Sequence, residues 1–318
     1  TVTDAYVVNG LINPEYLLGG AMKIYRDLAV KTIKEKIADH YNISVEEASE
    51  GVIKLANENA AYAIRVVSVQ RGYDPRDFTL IAHGGSGPMF APFISEELEI
   101  KKIIVPVIPP GVFSAWGMLT TDIRHDLVVT EIIRLDKENA SGRVNEIYSD
   151  LEQKMLNIFK EELGVVEVVL QRYADMRYYG QEHTVKVPLP SGRIGDDEVK
   201  KIIERFHEYH EREYAFRLDS PVEIVNFHLV GEYRVKKFEL KELNNMVDSL
   251  DDAILQERRI YVNGNDLRVP VYSKQRLSPR FRIDGPAVIE DPTSTILVLS
   301  SQKAIVDKYG NVNVLRGE

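Results

Sequence analysis

An α/β domain followed by an α+β layer pair and a small all-β module is the architecture that this 318-residue sequence predicts. Three observations carry it. Helix and strand patterns alternate over the first third, and helix, hairpin, helix and strand follow in the middle. From about Arg258 onward, short apolar runs are separated by turn signals. An apolar fraction of 44% and a charged fraction of 28% supply a real core, and the length favours two or three domains.

From about Gly20 to His40, Leu28, Ile33 and Ile37 recur at helical spacing with charges on the other face. Ser44 with Glu47 three residues on forms a capping box. The helix behind it is expected to bury Val52, Leu55, Ala56, Ala60, Ala63, Ile64 and Val67, and to stop at Gly72 and Pro75. Phe78 to Ala82 reads as a short buried strand running into His83-Gly84-Gly85-Ser86-Gly87-Pro88, where the proline suits the first turn of a following helix. Lys102 to Val105 is the next strand. Gly111 to Asp122 reads as a buried helix with small residues at its contact face, and Trp116 there reads as core.

A helix over about Val144 to Leu163 carries Ile147, Leu151, Met155, Ile158 and Phe159. Strands are expected near Val166 to Tyr178 and His183 to Val187, a helix over Asp196 to Tyr214, and a strand over Val222 to Tyr233. The charged stretch Lys236 to Asp252 reads as a linker, with turns at Asn263-Gly264, Asp284-Gly285-Pro286 and Tyr309-Gly310-Asn311 beyond it. The domains are therefore expected at 1–132, 133–240 and 241–318.

A net charge of −9 and a pI near 5.4 argue against nucleic acid as partner, since that affinity comes from Lys and Arg on phosphates. No apolar stretch approaches the length of a membrane span, and no secretory leader is visible. The lack of cysteine excludes disulfides and thiolate chemistry in this chain and fits the cytoplasm. Entry at Thr1 rather than Met reads as a piece of a longer protein or a processed subunit.

The glycine loop is the chemical focus. Between a strand and a helix, such a loop offers backbone N–H groups beside the positive end of the helix, suited to a phosphate or to close approach of a ribose or base. Gly84, Gly85 and Gly87 would let the chain pass near a ligand, with Ser86 beside them. The spacing is neither a P-loop nor the dinucleotide fingerprint, and alone it equally fits a strand–helix turn that binds nothing.

The run from Ile64 through Arg71-Gly72-Tyr73-Asp74-Pro75 to Pro88 resembles the hydantoinase A / 5-oxoprolinase family. The likeness continues in Pro110-Gly111-Val112-Phe113-Ser114-Ala115-Trp116-Gly117, in Asp122 to Asp126, in Asp175-Met176-Arg177-Tyr178-Tyr179-Gly180-Gln181, in Phe206 to Tyr214, and in Gly285-Pro286-Ala287-Val288-Ile289-Glu290. Thr1-Val2-Thr3-Asp4-Ala5 matches a segment that lies inside family members.

That resemblance implies an actin/Hsp70-like ATPase fold for the first domain, with Gly84 to Gly87 on the adenosine side. The phosphate segments would belong to a missing amino-terminal portion of the same subunit, so this chain alone is expected to be inactive. It further implies ATP and Mg2+ as cofactors, a second hydantoinase B-type subunit as partner, and a small-molecule substrate. The implied reaction activates an amide or carbonyl oxygen by phosphorylation before hydrolysis of a cyclic amide. A ketone carboxylase subunit and a non-catalytic scaffold that keeps the fold are the alternatives.

Thr3 and Asp4 would sit near phosphates as a catalytic hydroxyl and carboxylate, or else form a local cap. An autoprocessed amino-terminal Thr1 nucleophile is the sharper alternative to truncation or proteolysis, which is the favoured reading. Asp175 and Arg177, on one face of a strand by alternation, with Gln181 and His125, are the substrate-pocket candidates; a structural ion pair, or a satisfied helix end for Arg124-His125-Asp126, is the competing reading. His207 and His210, with Glu211, share a helix face but lack the His-Glu-x-x-His pattern, so a solvated or packed face and no metal site is expected.

Overall fold

The computed structural model describes residues 1–244 and 246–317. They form two compact units, Thr1–Leu119 with Phe238–Glu318, and Thr120–Lys237. Together they contain three sheets with helices, a mixed α/β structure.

The first segment begins with α1 (Val2–Val8), whose Ala5, Tyr6, Val7 and Val8 are buried. α2 (Arg26–Ile33) runs through a π turn at Lys34–Ala38 into the short α3 (Asp39–Tyr41). This helical stretch starts six residues later than its periodicity suggests, and it buries Ala29, Ile33 and Ala38 while Leu28 stays exposed. α4 (Val45–Val67) starts at the expected cap: Ser44 Oγ accepts from the Glu47 amide at 3.1 Å and Glu47 Oε2 from the Ser44 amide at 2.8 Å. Its buried residues are Ala48, Ser49, Ile53, Asn57 and Ala61, and Leu55 and Val67 face solvent. The expected stripe is thus rotated, because α1 and α5 pack where Ile53, Asn57 and Ala61 lie, and Asn57 masks that face to a hydrophobic count. β1 (Thr79–Ile81), α5 (Gly87–Glu97) and β2 (Lys102–Val105) then form a β–α–β unit with parallel strands. β1 is an edge strand with exposed residues rather than a buried one. α6 (Phe113–Leu119) has no buried residue, so the expected buried helix is a short surface turn here.

The middle unit is β3 (Ile123–Arg134), α7 (Ala140–Leu163), β4 (Val169–Tyr178), β5 (Val185–Leu189), α8 (Asp196–Tyr214) and β6 (Val222–Tyr233). Its antiparallel sheet has the order β3-β6-β4-β5. α7 and α8 cover one face, closing a core that includes Tyr148, Met155, Phe159, Met176, Phe206 and Phe227. Each such side chain contributes about 1.5–3 kcal/mol by leaving water. Gly231 is forced by that packing, since a Cβ would meet Met155 at 2.6 Å and Phe159 at 2.9 Å.

His207 and His210 are buried beside this core, packed on Tyr178 and Phe206. The Tyr178 hydroxyl accepts from the Leu218 amide at 3.0 Å and shares a hydrogen bond with His207 Nδ1 at 2.6 Å. Burial, with Arg217 nearby, pushes the His207 pKa down. Folding therefore favours the neutral ring: stability is full above the ordinary histidine value, roughly 6.5, and is lost as pH falls from there through the folded pKa. Thermal melts across that range are expected to show this unit weakening in acid, and His207→Gln is expected to flatten the slope; an unchanged slope in the variant would assign it elsewhere.

The last segment contributes β7 (Ile254–Val262), β8 (Asn265–Ser273), β9 (Arg282–Asp284), β10 (Ala287–Asp291), β11 (Ser294–Val298), β12 (Gln302–Val306) and β13 (Val312–Arg316). One sheet has the order β11-β10-β8-β7 and the other β1-β2-β13-β12-β9. β13 lies between β2 and β12, antiparallel to both. The expected terminal module at 241–318 is consequently not separate: it completes the sheet that β1 and β2 begin. The expected boundary at 132 falls inside β3, and Arg124, His125 and Asp126 lie on that strand and not at a helix end. Among the described residues no helix is long and apolar enough to cross a membrane.

Candidate functional site

The glycine loop leaves the carboxyl end of β1, the place where open parallel α/β units present loops to ligands. Gly84 adopts φ +81°, a left-handed conformation that needs glycine, and its amide donates to Pro110 O at 2.6 Å, tying the loop to the Pro110-Gly111 turn. α5 begins at Gly87, with Pro88 in its first turn and Ser86 as N-cap residue. The amides of Gly85 and Ser86 have no hydrogen-bond partner among the described residues. His83 packs on Phe113 at 5.4 Å, and Phe113 stacks on Trp116 at 5.6 Å, so Trp116 belongs to a surface aromatic ladder and not to the core.

A third element closes on both glycine turns: the tip of the β10–β11 hairpin. Thr293 is the wedge. A Cβ on Gly111 would stand 2.9 Å from Thr293 Cβ, and one on Gly85 would stand 3.7 Å from Thr293 O. Asp291 holds the tip, its Oδ1 accepting from the Thr293 amide at 3.0 Å and hydroxyl at 2.8 Å. Behind it the buried Lys274 Nζ donates to Pro106 O at 2.8 Å and lies 3.6 Å from Asp291 Oδ2. Burial pushes the Lys274 pKa down, partly offset by Asp291.

Between the loop, the hairpin and α1 is a cleft of about 240 Å³. Thr3, Gly85 and Ser86 line it on one side and Glu290, Asp291 and Ser294 on another, with Ile12, Leu17, Leu18 and Met89 supplying apolar surface. No Lys, Arg or His lines it. Ser294 is 7% exposed, and its Oγ has no partner among the described residues. Glu290 pairs through Oε1 with Arg258 at 2.6 Å.

The structure thus brings Thr3 to the glycine loop but turns Asp4 away from the cleft, into a capping box with Thr1 at 2.7 Å. It also divides the substrate-pocket candidates. Asp175 and Arg177 lie on the open face of the middle sheet; Asp175 Oδ2 accepts from His228 Nε2 at 2.7 Å and Asn226 Nδ2 at 2.8 Å, and Arg177 pairs with Glu223 at 2.7 Å. Asn226 Oδ1 accepts from Thr130 Oγ1 at 2.7 Å. Arg124 and Asp126 pair with each other on β3, at 2.8 Å. His125, one residue out of phase with them, points to the helix side, packed on Phe159 and 2.9 Å from Glu162. That contact is an ion-pair distance without hydrogen-bond geometry. Gln181 sits in the β4–β5 turn, its amide donating to Tyr178 O. Among the described residues no group of three His, Cys, Asp or Glu side chains could hold a metal ion.

Two sets of residues escaped sequence reasoning. Alternation along β6 would have put His228 and Asn226 on one face, and the run Glu290-Asp291-Pro292-Thr293-Ser294-Thr295 is a turn with two carboxylates and three hydroxyls.

Residues 1–127 match the model of the hydantoinase/oxoprolinase family and residues 133–314 that of the hydantoinase/oxoprolinase C-terminal domain. The chain is 33% identical to the caprolactamase subunit alpha of Pseudomonas jessenii, over 100% of this chain and 46% of that one. The crystal structure of the ATP-dependent caprolactamase from the same organism aligns with a TM-score of 0.69 and 32% identity over 100% of this chain and 47% of the other. The nucleotide-free structure of acetone carboxylase, from work on ATP-dependent acetone carboxylation, aligns with a TM-score of 0.89 at 24% identity, over 99% and 46%, and shows the shared fold. The chain spans less than half the length of each.

Proposed function

This chain belongs to the hydantoinase/oxoprolinase family, and on that premise we propose that it forms the nucleoside-holding part of an ATP-dependent enzyme that opens a cyclic amide. The observation that carries the reading is the cleft where Thr3, the Gly85-Ser86 amides and the hairpin tip meet at the carboxyl end of a parallel β–α–β unit. Relatives described as an ATP-dependent caprolactamase and as an acetone carboxylase support the dependence on ATP.

The residues present fit a nucleoside: a glycine-lined approach at Gly85, two amides without partners, and a buried hydroxyl at Ser294 that lacks one. They do not fit a triphosphate, because no cation lines the cleft. We therefore place the phosphates, with the Mg2+ that accompanies them, against the portion of the family enzymes beyond the matched half, which would complete an actin-like ATPase domain. ATP would supply a phosphoryl group to the amide oxygen, making the ring carbon electrophilic enough for water to add and the C–N bond to break, with phosphate then released from the resulting acyl phosphate. This chain's residues would hold and orient the nucleoside: Gly84, Gly85, Ser86 and Gly87 form the loop beneath it and Thr3 faces it. Asp175, with His228 and Asn226, and Arg177 are the substrate-side polar groups in this reading; His125 and Gln181 stand apart from them. A hydantoinase B-type subunit is the expected partner.

Calorimetry on this chain combined with that remaining portion is the test. Saturable binding of ATP or ADP is expected; its absence would leave only a scaffold that keeps the fold. Turnover of ATP driven by a lactam without bicarbonate is expected, whereas a bicarbonate requirement would assign a ketone carboxylase.

A further inference from the structure

β1 is an interior strand by sequence and an edge strand by position. Phe78-Thr79-Leu80-Ile81-Ala82 is a continuous run without a charge or a proline, the pattern of a strand covered on both faces of a parallel sheet. Its pairing with β2 is parallel and regular, and β2 is its only neighbour among the described residues. The Ala82 amide donates to Ile104 O at 2.9 Å. The N–H and C=O of one residue share a side of the strand and successive residues alternate, so Leu80 also turns its backbone polar groups to β2. Thr79 and Ile81 turn theirs to the open edge. Natural edges are blunted by charge, proline, a bulge or a covering segment. The first three are absent here, and Phe78 and Ile81 are more than half exposed.

An apolar groove of about 530 Å³ borders the same strand. Ile64 and Val67 at the end of α4 wall it, with Leu80, Ile100, and the pair Tyr73 and Phe78, which meet edge to face at 6.1 Å. Val67 and Tyr73 are also more than half exposed. Ile64 and Val67 are the last members of the stripe that periodicity assigns to the buried side of α4. Helix and strand thus present interior-type residues to one groove.

We propose that this edge and groove seat an added β-strand, supplied by the portion of the family enzymes beyond the matched half. Its backbone pairs with Thr79 and Ile81, and its alternate apolar side chains fill the groove beside Val67 and Tyr73. Family chains run to more than twice the matched length, which leaves ample chain to supply one. A second copy of this chain is disfavoured as occupant by the net charge of −9 that both would carry. The assignment does not depend on what the cleft at Gly85 binds.

Hydrogen exchange at assigned amides, on this chain alone and combined with that portion without nucleotide, is the test. Leu80 and Ala82 are expected to be protected in both, and Thr79 and Ile81 only in the combination. Ile81→Pro removes one outward amide and spares the bonds to β2; it is expected to weaken association several-fold, as for one lost ladder hydrogen bond. Val67→Glu sets a charge in the groove and is expected to weaken it about 10-fold or more, the value of one buried valine side chain. Both are expected to leave the melting temperature of the chain alone unchanged, as surface substitutions do. Association of both variants at wild-type affinity overturns the proposal. So does failure of the two portions to associate, or a combination in which Thr79 and Ile81 exchange as fast as in the chain alone. Protection of both amides in the chain alone, at a doubled mass, overturns it in favour of a second copy. The wild-type exchange pattern decides the matter even where a variant folds poorly. A combination that shows the expected pattern and binds no ATP removes the functional reading and leaves the added strand in place.

Discussion

Replacing Gly10 with alanine is expected to destabilise the larger unit by about 2–5 kcal/mol. Two costs add at this position. Gly10 has φ +71°, where an L side chain costs about 1–2 kcal/mol. A Cβ there would fall on the Arg259 carbonyl oxygen, a backbone atom that cannot swing aside, and overpacking of this kind costs about 1–3 kcal/mol. The contact matters because it is a seam: the Tyr261 amide donates to Asn9 O at 2.9 Å beside it, joining the end of α1 to β7. Urea unfolding followed by hydrogen exchange at assigned amides separates the two units. The variant is expected to shift only the transition reported by α1, β7 and β8; a shift below about 1 kcal/mol, or one reported by β4 and β6, would contradict this account.

Lys274→Met is expected to cost about 3–5 kcal/mol, the range for removing one member of a buried ion pair and leaving the other charge unpaired. Asp291 is 8% exposed and would keep only Thr293 as partner, and Pro106 O would lose its donor. The hairpin tip is then expected to loosen against Gly85 and Gly111, weakening nucleotide binding about 10-fold or more beyond the loss of stability. Lys274→Met/Asp291→Asn is expected to recover part of the stability, because it removes the stranded charge. A single variant with a wild-type melting temperature would show that the pair does not hold the tip.

Much of the fold is written locally. Helix caps and periodicity place α4 at Ser44 and α8 at Asp196–Tyr214, and apolar runs place β2 and β6 to the residue. What the sequence does not show is pairing across distance. That Val312–Arg316 lies beside Lys102–Val105 follows from packing between segments about 200 residues apart, and no local pattern encodes it. The π turn after Ile33 and the buried Asn57 shift helix faces by a fraction of a turn, which defeats a simple count of apolar residues. At the site the same division holds. Glycines between a strand and a helix are legible as a tight strand–helix turn, whereas the Glu290–Thr295 turn acquires its place only because Thr293 meets Gly111. Alternation puts Asp175 and Arg177 on one face correctly, but the partner strand decides that Asp175 meets His228, and the phase of β3 removes His125.

The position of β13 has a temporal meaning. The middle unit is continuous in sequence and has all of its strands in hand once Tyr233 has been made, so it is free to fold during synthesis. The larger unit is not. Its five-stranded sheet is split into β1-β2 and β12-β9 until β13, made after all the others, enters between them. Pairings of such long loop closure are slow, and the open edges of β2 and β12 stay exposed meanwhile as templates for wrong partners. Loss of a few residues at β13 would therefore remove the keystone of a sheet and not trim its rim, and a chain stalled before Val312 would present a finished middle unit attached to two unjoined halves.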